Sequence, residues 1–308
     1  MAEVATQEPE EIFHYTDVGG LKGIVENGEL WCTDIQYLND GSEFTHGIEL
    51  IEKEIKKICR SLDGLEPRFL EGLLDIITDY TRPENGLSTR RFVFSLSEES
   101  DSLSQWRAYA SEGGVRLGFS KKLLGARAAQ LGWMIDRCVY QPGKKKRLIL
   151  ERVVNPAREH FKENKGEVGD DGLQDFISEY YQTGFFRNYV LLCPWLKHES
   201  FEREHEWRLI GGCNVNDRFD EDGNGKEIDW RSRGSMLLPF CKLRIDEKTT
   251  AEGDDFSIPL TSVIIGPSSY PYLLRNSVAS FLKRHHSEGK IPHIFPHISD
   301  TSYRVQSP

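Results

Sequence analysis

A row of alternating charged and apolar residues near position 206 has the strongest chemical character in the sequence. Glu204, Glu206 and Arg208 alternate there with Trp207 and Leu209, and a period of two is typical of a β-strand with one buried face. At about 3.3 Å per residue, the two carboxylates would stand about 6.6 Å apart. One carboxylate could then stabilise a developing positive charge while the other orients a nucleophile. The alternative is an exposed charged edge that opposes aggregation.

A histidine lies on a second candidate strand, the short β-type run from Ile12 to Thr16. On a strand, His14 and Thr16 share one face and Tyr15 lies on the other. A histidine at a strand end can hydrogen-bond to a ribose hydroxyl of a ligand. It can equally be held by a neighbouring backbone group. The sequence leaves both interpretations open.

Hydroxyl and aromatic side chains follow in the middle of the chain. Residues 91–97 alternate as a strand, which places Ser95 and Ser97 together on one side. Such small hydroxyls can line a ligand pocket, or they can face solvent. Trp106 and Tyr109 lie three residues apart on a short predicted helix, where they could stack on a ligand ring or pack in the core.

The composition excludes several classes of protein. The 308 residues carry 39 basic and 49 acidic side chains, and the formal net charge of −10 opposes binding of duplex nucleic acid over a broad surface. A basic run at 144–147 still allows a local contact with a polyanion. The 16 Phe, 11 Tyr and 6 Trp exclude a disordered chain. Because the sequence has no apolar span of about 18 residues and no secretory signal, we expect no membrane segment and a cytoplasmic location.

The spacing of potential metal ligands predicts no metal site. No two of the six cysteines are closer than 20 residues, which excludes a CxxC metal or redox pair. The four histidines at 285, 286, 293 and 297 match no zinc spacing. The sequence also contains no phosphate-binding glycine loop and no nucleophile elbow.

The hydrophobic pattern predicts one α+β domain over residues 12–308, preceded by a flexible tail at 1–11. The domain begins with a strand, a helix and a strand, and a helical insertion lies at about 148–200. Periodicity predicts helices over 43–62, 67–80, 103–110, 148–161, 174–192 and 270–286, and strands over 91–97, 115–119, 204–210, 237–245 and 260–266.

Taken together, these motifs resemble a bacterial family known as domain of unknown function 2971. The resemblance extends from Ile12 to about Arg304, and its motifs are specific in combination. The segments that carry it are Phe13-His14-Tyr15-Thr16, Leu21, Gly23-Ile24, Gly28-Glu29-Leu30-Trp31, Leu38-Asn39-Asp40, Glu43-Phe44, Phe94-Ser95-Leu96-Ser97, Ser102-Leu103, Trp106, Tyr109, Glu204 to Leu209 and Val263-Ile264-Ile265-Gly266-Pro267.

The first of these motifs also resembles the opening strand and helix of the ADP-ribosyltransferase fold, a split and bent β core surrounded by helices. In that fold a first-strand His binds the NAD ribose, a middle-strand Ser lines the nicotinamide pocket, and a late-strand Glu stabilises the oxocarbenium-like ribose. By position, the resemblance implies these roles for His14, Ser95 and Glu206, with Glu204 orienting the acceptor. Thr16 is similar to the threonine of the His-x-Thr pattern in toxin-like, DNA-modifying members.

The resemblance further implies an NAD site without a metal. Nicotinamide would stack on Trp106, Tyr109 or Tyr37, and Arg208 or Arg107 would clamp the pyrophosphate. The implied catalytic residues are Glu206 and Glu204, and the implied NAD-binding residues are His14, Tyr15, Thr16, Tyr37, Ser95, Ser97, Trp106, Tyr109 and Arg208.

The function implied by the resemblance is NAD-dependent transfer of ADP-ribose to a protein, RNA or DNA acceptor, or hydrolysis of NAD, in a toxin or antiphage effector. A Glu206→Gln variant would then lose turnover and keep a nearly intact fold. One alternative is a non-catalytic sensor or binding module, in which Glu206 and Arg208 form a structural ion pair and His14 a buried hydrogen bond. Another is a nucleic-acid-processing enzyme of unrelated mechanism. Convergence of His14, Ser95 and Glu206 on one pocket would favour catalysis.

Overall fold

The computed structural model describes residues 8–38, 43–80, 89–110, 113–164, 166, 169–214, 228–250, 252 and 254–301. Helices surround one mostly antiparallel sheet, as expected of an α+β protein. The strands are β1 (Glu11–Thr16), β2 (Glu29–Asp34), β3 (Thr89–Ser97), β4 (Val115–Ser120), β5 (Met134–Arg137), β6 (Glu206–Asn214), β7 (Ile228–Arg233), β8 (Met236–Arg244), β9 (Leu260–Ile265) and β10 (His297–Ile298). The helices are α1 (Val18–Asn27), α2 (Glu43–Cys59), α3 (Leu65–Tyr80), α4 (Leu103–Tyr109), α5 (Lys121–Gln130), α6 (Pro142–Ile149), α7 (Asn155–Asn164), α8 (Leu173–Tyr180), α9 (Phe186–Leu192) and α10 (Pro271–Ser287).

Helix α1 is fixed at both ends by its own sequence. The Asp17 side chain accepts a hydrogen bond from the Gly20 amide at 2.6 Å and caps the first turn. The helix ends at Gly28, whose φ of 67° lies in the left-handed region that favours glycine. A Cβ at Gly20 would lie 2.1 Å from Thr16 Oγ1, so the close contact between β1 and α1 requires a glycine there.

The central strand β3 pairs with β6 along one edge and with both β1 and β2 along the other. The order of strands along the sheet is β10-β9-β4-β1-β3-β2-β8-β7, and β6 pairs with both β3 and β5. On one side, β3 pairs with β6 from Thr89 to Ser97. On its other side, β3 pairs with β1 only at Ser97, and with β2 at Val93 and Phe92. The strands on this side form two wings, one of β1, β4, β9 and β10 and the other of β2, β8 and β7. The two wings diverge beside the centre of β3 and leave a notch in the sheet.

The sheet separates two hydrophobic clusters. One face packs against α1, α5 and α10, and it buries Phe94, Leu96, Trp207 and Leu209. The other face contributes Val93 and Ile210 to a cluster with the helical layer. The apolar side of the strand near residue 206 therefore points into the core, as its alternation predicts.

The helical insertion has longer helices than predicted. A continuous helical segment runs from Pro142 to Asn164 and includes a π-helical stretch at Leu150–Val154. A second runs from Leu173 to Leu192 with a π-helical stretch at Tyr181–Phe185. The basic run at 144–147 lies on α6. The first segment thus starts at residue 142, a few residues before the helix predicted from residue 148.

The structure corrects the predicted strand over 204–210. Residues Glu199–Glu204 form a 3-10 helix, His205 has a φ of 41°, and β6 starts at Glu206. The short helix interrupts the alternation, so Glu204 does not share a strand face with Glu206.

Strand β7 and helix α5 have no counterpart among the predicted elements. Residues 1–7 of the predicted tail and 39–41 of the predicted turn lie outside the described residues, and β1 already begins at Glu11.

Candidate functional site

A cavity of about 1000 Å³ lies at the notch between β1 and β2. Cavities of this size can enclose a small organic ligand. Both wings, the middle of β3 and the segment before β6 contribute to its wall. The predicted site residues that line it are His14, Tyr15, Thr16, Tyr37, Ser95, Tyr109, Glu204, Glu206 and Arg208.

His14 crosses the notch and bonds to β3 on the edge that faces away from β6, between its pairings with β1 and β2. Its Nδ1 lies 2.9 Å from the carbonyl oxygen of Ser95, and its ring centroid lies 4.1 Å from that of Phe94. A carbonyl oxygen only accepts, so Nδ1 carries the proton and Nε2 of the neutral ring is an acceptor. Burial lowers the pKa of His14 to about 4, and the charge of Arg231 acts in the same direction. At neutral pH the imidazole can therefore accept a hydrogen bond from a ligand hydroxyl.

The pKa of His14 predicts a pH-dependent stability difference between the wild type and a His14→Asn variant, whose amide can donate the same bond to Ser95. Between pH 6.5 and 4 the unfolded chain binds a proton at His14 that the folded protein does not bind. Lowering the pH across this window should therefore destabilise the wild type relative to the variant, by about 2–3 kcal/mol in total. Urea unfolding at several pH values measures the difference.

Other titrating groups cancel from that comparison. Burial raises the pKa of Asp34 to about 6, which gives a slope of opposite sign below pH 6, but Asp34 is present in both proteins. Parallel stability curves for the wild type and the His14→Asn variant would contradict the assigned environment of His14.

A cluster of two carboxylates and two cations forms the wall opposite the wings. Glu206 Oε1 accepts from Arg208 Nε at 2.8 Å, and Glu206 Oε2 accepts from Arg208 Nη2 at 3.0 Å. Lys197 Nζ donates to Glu206 Oε2 at 2.5 Å and to Glu204 Oε2 at 2.6 Å. Burial alone would raise the pKa of Glu206, but Arg208 and Lys197 lower it to about 2. Glu206 is therefore an anion at every physiological pH.

The cluster joins the sheet to the two ends of the helical insertion. Arg208 Nη1 donates to the carbonyl oxygen of Pro194 at 2.7 Å, and the Glu206 amide donates to the Tyr140 hydroxyl at 2.9 Å. The Cys138 thiol lies 3.7 Å from Glu206 Oε2. Glu206 is only 5% exposed, although it lines the cavity. Its carboxylate is therefore both a structural group and a potential ligand contact.

Two predicted site residues do not line the cavity. Ser97 is buried, donates from Oγ to the Glu204 carbonyl oxygen at 2.7 Å and accepts from the Glu99 amide at 3.0 Å. It therefore holds the segment that carries Glu204. Trp106 is 0% exposed, and its Nε1 donates to Asp101 Oδ1 at 2.6 Å. Trp106 is buried in this structure, which agrees with the core packing that the sequence left open beside the stacking role.

The predicted tyrosines differ in what they offer a ligand. The Tyr15 hydroxyl donates to the Glu99 carbonyl oxygen at 2.7 Å and accepts from the Ser102 amide at 3.1 Å, so both of its hydrogen-bonding functions are occupied. Tyr109 is 41% exposed and lines the cavity, as does the partly buried Tyr37. Tyr37 and Tyr109 are less buried than Tyr15, which is 5% exposed, so their rings offer more surface to a ligand. Arg107 is exposed and does not line the cavity.

Sequence reasoning missed several residues that line the cavity. Lys197 is 3% exposed and follows Trp195-Leu196 in an apolar stretch. A lysine in an apolar stretch is unusual, and this position could have indicated a buried, paired cation. Arg231 lies on β7, and its row of alternate residues, Asp229, Arg231 and Arg233, is the pattern that could have revealed that strand. Trp31 and Phe201 add two further rings to the wall.

The comparison with protein families agrees with one part of the sequence-based assignment. Residues 105–209 match the model of a family described as "Protein of unknown function (DUF2971)". This match covers about a third of the chain and supports the resemblance to that family. It includes Lys197, Glu204, Glu206 and Arg208 of the cavity wall. No curated protein and no solved structure gave a match.

The described residues contain neither a metal-binding group nor a membrane-spanning helix. Within the part of the chain that the structure describes, no group of three or more His, Cys, Asp or Glu side chains is arranged to hold a metal ion. Among the same residues, none of the helices has the length and apolar character needed to cross a bilayer.

Proposed function

We propose that this protein cleaves the nicotinamide–ribose bond of NAD and transfers ADP-ribose to a macromolecular acceptor or to water. One observation carries the proposal: His14, Ser95, Glu204 and Glu206 line the same cavity, although they come from three separate segments of the chain. The notch between the wings, which forms this cavity, agrees with the split β core of the ADP-ribosyltransferase fold.

The charge cluster suits the proposed bond cleavage. Breaking the bond to nicotinamide leaves positive charge on the ribose, and a fixed carboxylate stabilises that charge. With a pKa of about 2, Glu206 is a poor general base but a permanent anion. Three strong hydrogen bonds occupy its oxygens, and a carboxylate offers about four acceptor positions, so Oε1 can still accept a ribose hydroxyl.

Other cavity residues complete the proposed site. Glu204 is less buried than Glu206 and is held by Lys197, which suits it to orient an acceptor. His14 Nε2 would accept from a hydroxyl of the ribose. Tyr37 and Tyr109 would contact the nicotinamide ring. The acceptor is a protein, RNA or DNA under this proposal, in keeping with a cytoplasmic toxin or antiphage effector.

A second candidate function is a non-catalytic module that binds a nucleotide or a partner. The bidentate pair of Glu206 with Arg208 favours it, because buried ion pairs often serve structure alone. The bond from His14 to the Ser95 carbonyl also agrees with this candidate.

Nicotinamide release from NAD by the purified protein decides between the two candidates. We expect release, and we expect a Glu204→Gln variant to release nicotinamide at least about tenfold more slowly, because the variant loses a charge at the reacting centre. Glu199→Gln is the matched control: Glu199 lies in the same 3-10 helix, is exposed and does not line the cavity. Its rate should equal that of the wild type.

Cell lysate adds the acceptor to the same assay. Release that requires lysate would indicate a transferase, and release without lysate an NAD hydrolase. Absence of release under both conditions, together with an NAD-induced rise in melting temperature, would support the binding module instead.

A further inference from the structure

The charged residues that line the cavity differ in whether they are neutralised. On the β6 side, Lys197 and Arg208 are paired with Glu204 and Glu206. The side formed by β2, β8 and β7 presents the carboxylate of Glu29 on β2 and the guanidinium groups of Arg231 and Arg233 on β7, and of these cations Arg231 is the partly buried one. An anionic ligand is therefore more strongly attracted to the side formed by β2, β8 and β7 than to the β6 side, where the cations are already paired.

Arg231 is a partly buried cation that forms no ion pair with a carboxylate of the described residues. Its Nη2 donates to Thr33 Oγ1 at 2.7 Å, and its guanidinium lies 5.9 Å from the centre of the Phe240 ring. Throughout the described ranges, no carboxylate oxygen lies within 4.0 Å of it; Asp17 acts only from a longer distance and is bonded to the Gly20 amide. A guanidinium has five N–H donors, and a buried charge without a partner is unfavourable.

Arg233 adds a second positive charge beside it. The two arginines are two residues apart on β7, so they share one face of the strand, and both line the cavity. Burial lowers the pKa of Arg231, and repulsion from Arg233 lowers it further. Arg231 is partly buried and Arg233 is exposed, so burial and repulsion both act against the charge of Arg231, and a bound anion would offset both effects.

We infer that Arg231, assisted by Arg233, binds the phosphate groups of a nucleotide, and that these are the pyrophosphate of NAD if the proposed function holds. The planar fork of a guanidinium matches two phosphate oxygens at once. This assignment replaces the predicted roles of Arg208, which is occupied by Glu206 and Pro194, and of Arg107, which lies outside the cavity. It also orients the ligand, with its anionic part towards β7 and its reacting ribose towards Glu206.

Binding of ADP and of adenosine, measured by calorimetry at low salt, tests the inference without any catalysis. The two molecules differ only in their phosphates. We expect ADP to bind the wild type at least tenfold more tightly than adenosine, and the Arg231→Gln variant to lose most of that difference. ADP affinity should also fall as the salt concentration rises.

Two further variants control for charge and folding. Arg244→Gln removes a positive charge from the same wing, at a residue that is paired with Asp246 and does not line the cavity; it should change ADP affinity less than twofold. Arg231→Lys keeps the charge without the planar fork and should retain an intermediate affinity. Without ligand, Arg231→Gln should melt at or above the wild-type temperature, because an uncompensated charge has been removed.

Equal ADP affinity in the wild type and in Arg231→Gln would overturn the inference. It would also be overturned if a short single-stranded oligonucleotide, and not ADP, depended on Arg231, because the site would then belong to a polynucleotide backbone. The proposed function is tested separately. ADP binding that depends on Arg231, in a protein that releases no nicotinamide, would support the phosphate site and contradict the proposed catalysis. Conversely, if Arg231→Gln releases nicotinamide with an unchanged KM for NAD, the inferred phosphate site is contradicted and the proposed function is not.

Discussion

Replacement of Glu206 by Gln is expected to lower the free energy of unfolding by about 3–5 kcal/mol and the rate of nicotinamide release by about 10²–10³-fold. Glu206 is 5% exposed and bonded to both Arg208 and Lys197. Its loss removes the carboxylate that both cations share, while Lys197 keeps its bond to Glu204 and Arg208 its bond to the Pro194 carbonyl oxygen. The resemblance alone implied a nearly intact fold for this variant, and the buried network is the reason to expect otherwise. Urea unfolding and the release assay measure the two effects.

A second substitution separates the structural effect from the catalytic one. In Lys197→Met the ammonium is removed while Glu206 keeps Arg208, and in the double variant Glu206→Gln/Lys197→Met one charge of each sign is lost. Because the two side chains are in contact, we expect the double variant to be more stable than the sum of the single effects by about 1–3 kcal/mol. It should fold and still release no nicotinamide. Additive stability changes would show that Glu206 and Lys197 do not interact, and normal release would exclude catalysis by Glu206.

Truncation of Trp106 to Ala is expected to destabilise the fold by about 3–5 kcal/mol. The indole is 0% exposed and contacts the Tyr15 ring edge-on at 4.7 Å. A Cβ at Gly266 would lie 2.7 Å from the indole, so the backbone packs directly on it. Its Nε1 also satisfies the buried side of Asp101, which would lose that bond. Chemical unfolding provides the measurement.

The ligand affinity of a milder pair of variants tests whether Trp106 acts only through the core. Trp106→Phe keeps most of the ring volume and should leave NAD affinity within about twofold once the protein is folded. Tyr109→Ala removes a ring that lines the cavity and should weaken NAD binding several-fold with little loss of stability. Weaker NAD binding in Trp106→Phe, with unchanged NAD binding in Tyr109→Ala, would support the predicted stacking role of Trp106.

Local sequence patterns determined the elements that carry the site. Alternation identified the strand with Trp207 and Leu209 in the core, and a cap at Asp17 and a glycine at Gly28 defined α1. These features depend on residues within a few positions of one another, where backbone geometry fixes which side chains share a face. They account for β1, α1 and β2, and for most of the longer helices.

Local patterns failed where a short irregular segment or a distant partner decided the outcome. The 3-10 helix before β6 removed Glu204 from the strand, because two residues of non-extended backbone are enough to break a period of two. Strand β7 was missed because its pattern is charged, and its pairing with β8 comes from the hairpin rather than from a hydrophobic face.

The chemical state of the site was decided only by tertiary structure. His14 is hydrogen-bonded to the Ser95 carbonyl oxygen, 81 residues away in the sequence, and Arg231 to Thr33, 198 residues away. Contacts between such distant residues follow from how the strands are ordered in the sheet, which no local periodicity encodes. Burial and neighbouring charges then set which groups are ionised. The sequence by itself therefore determined which residue types are present and the elements that carry them. The fold decided that Glu206 is paired, that Trp106 is buried and that no carboxylate of the described segments pairs with Arg231.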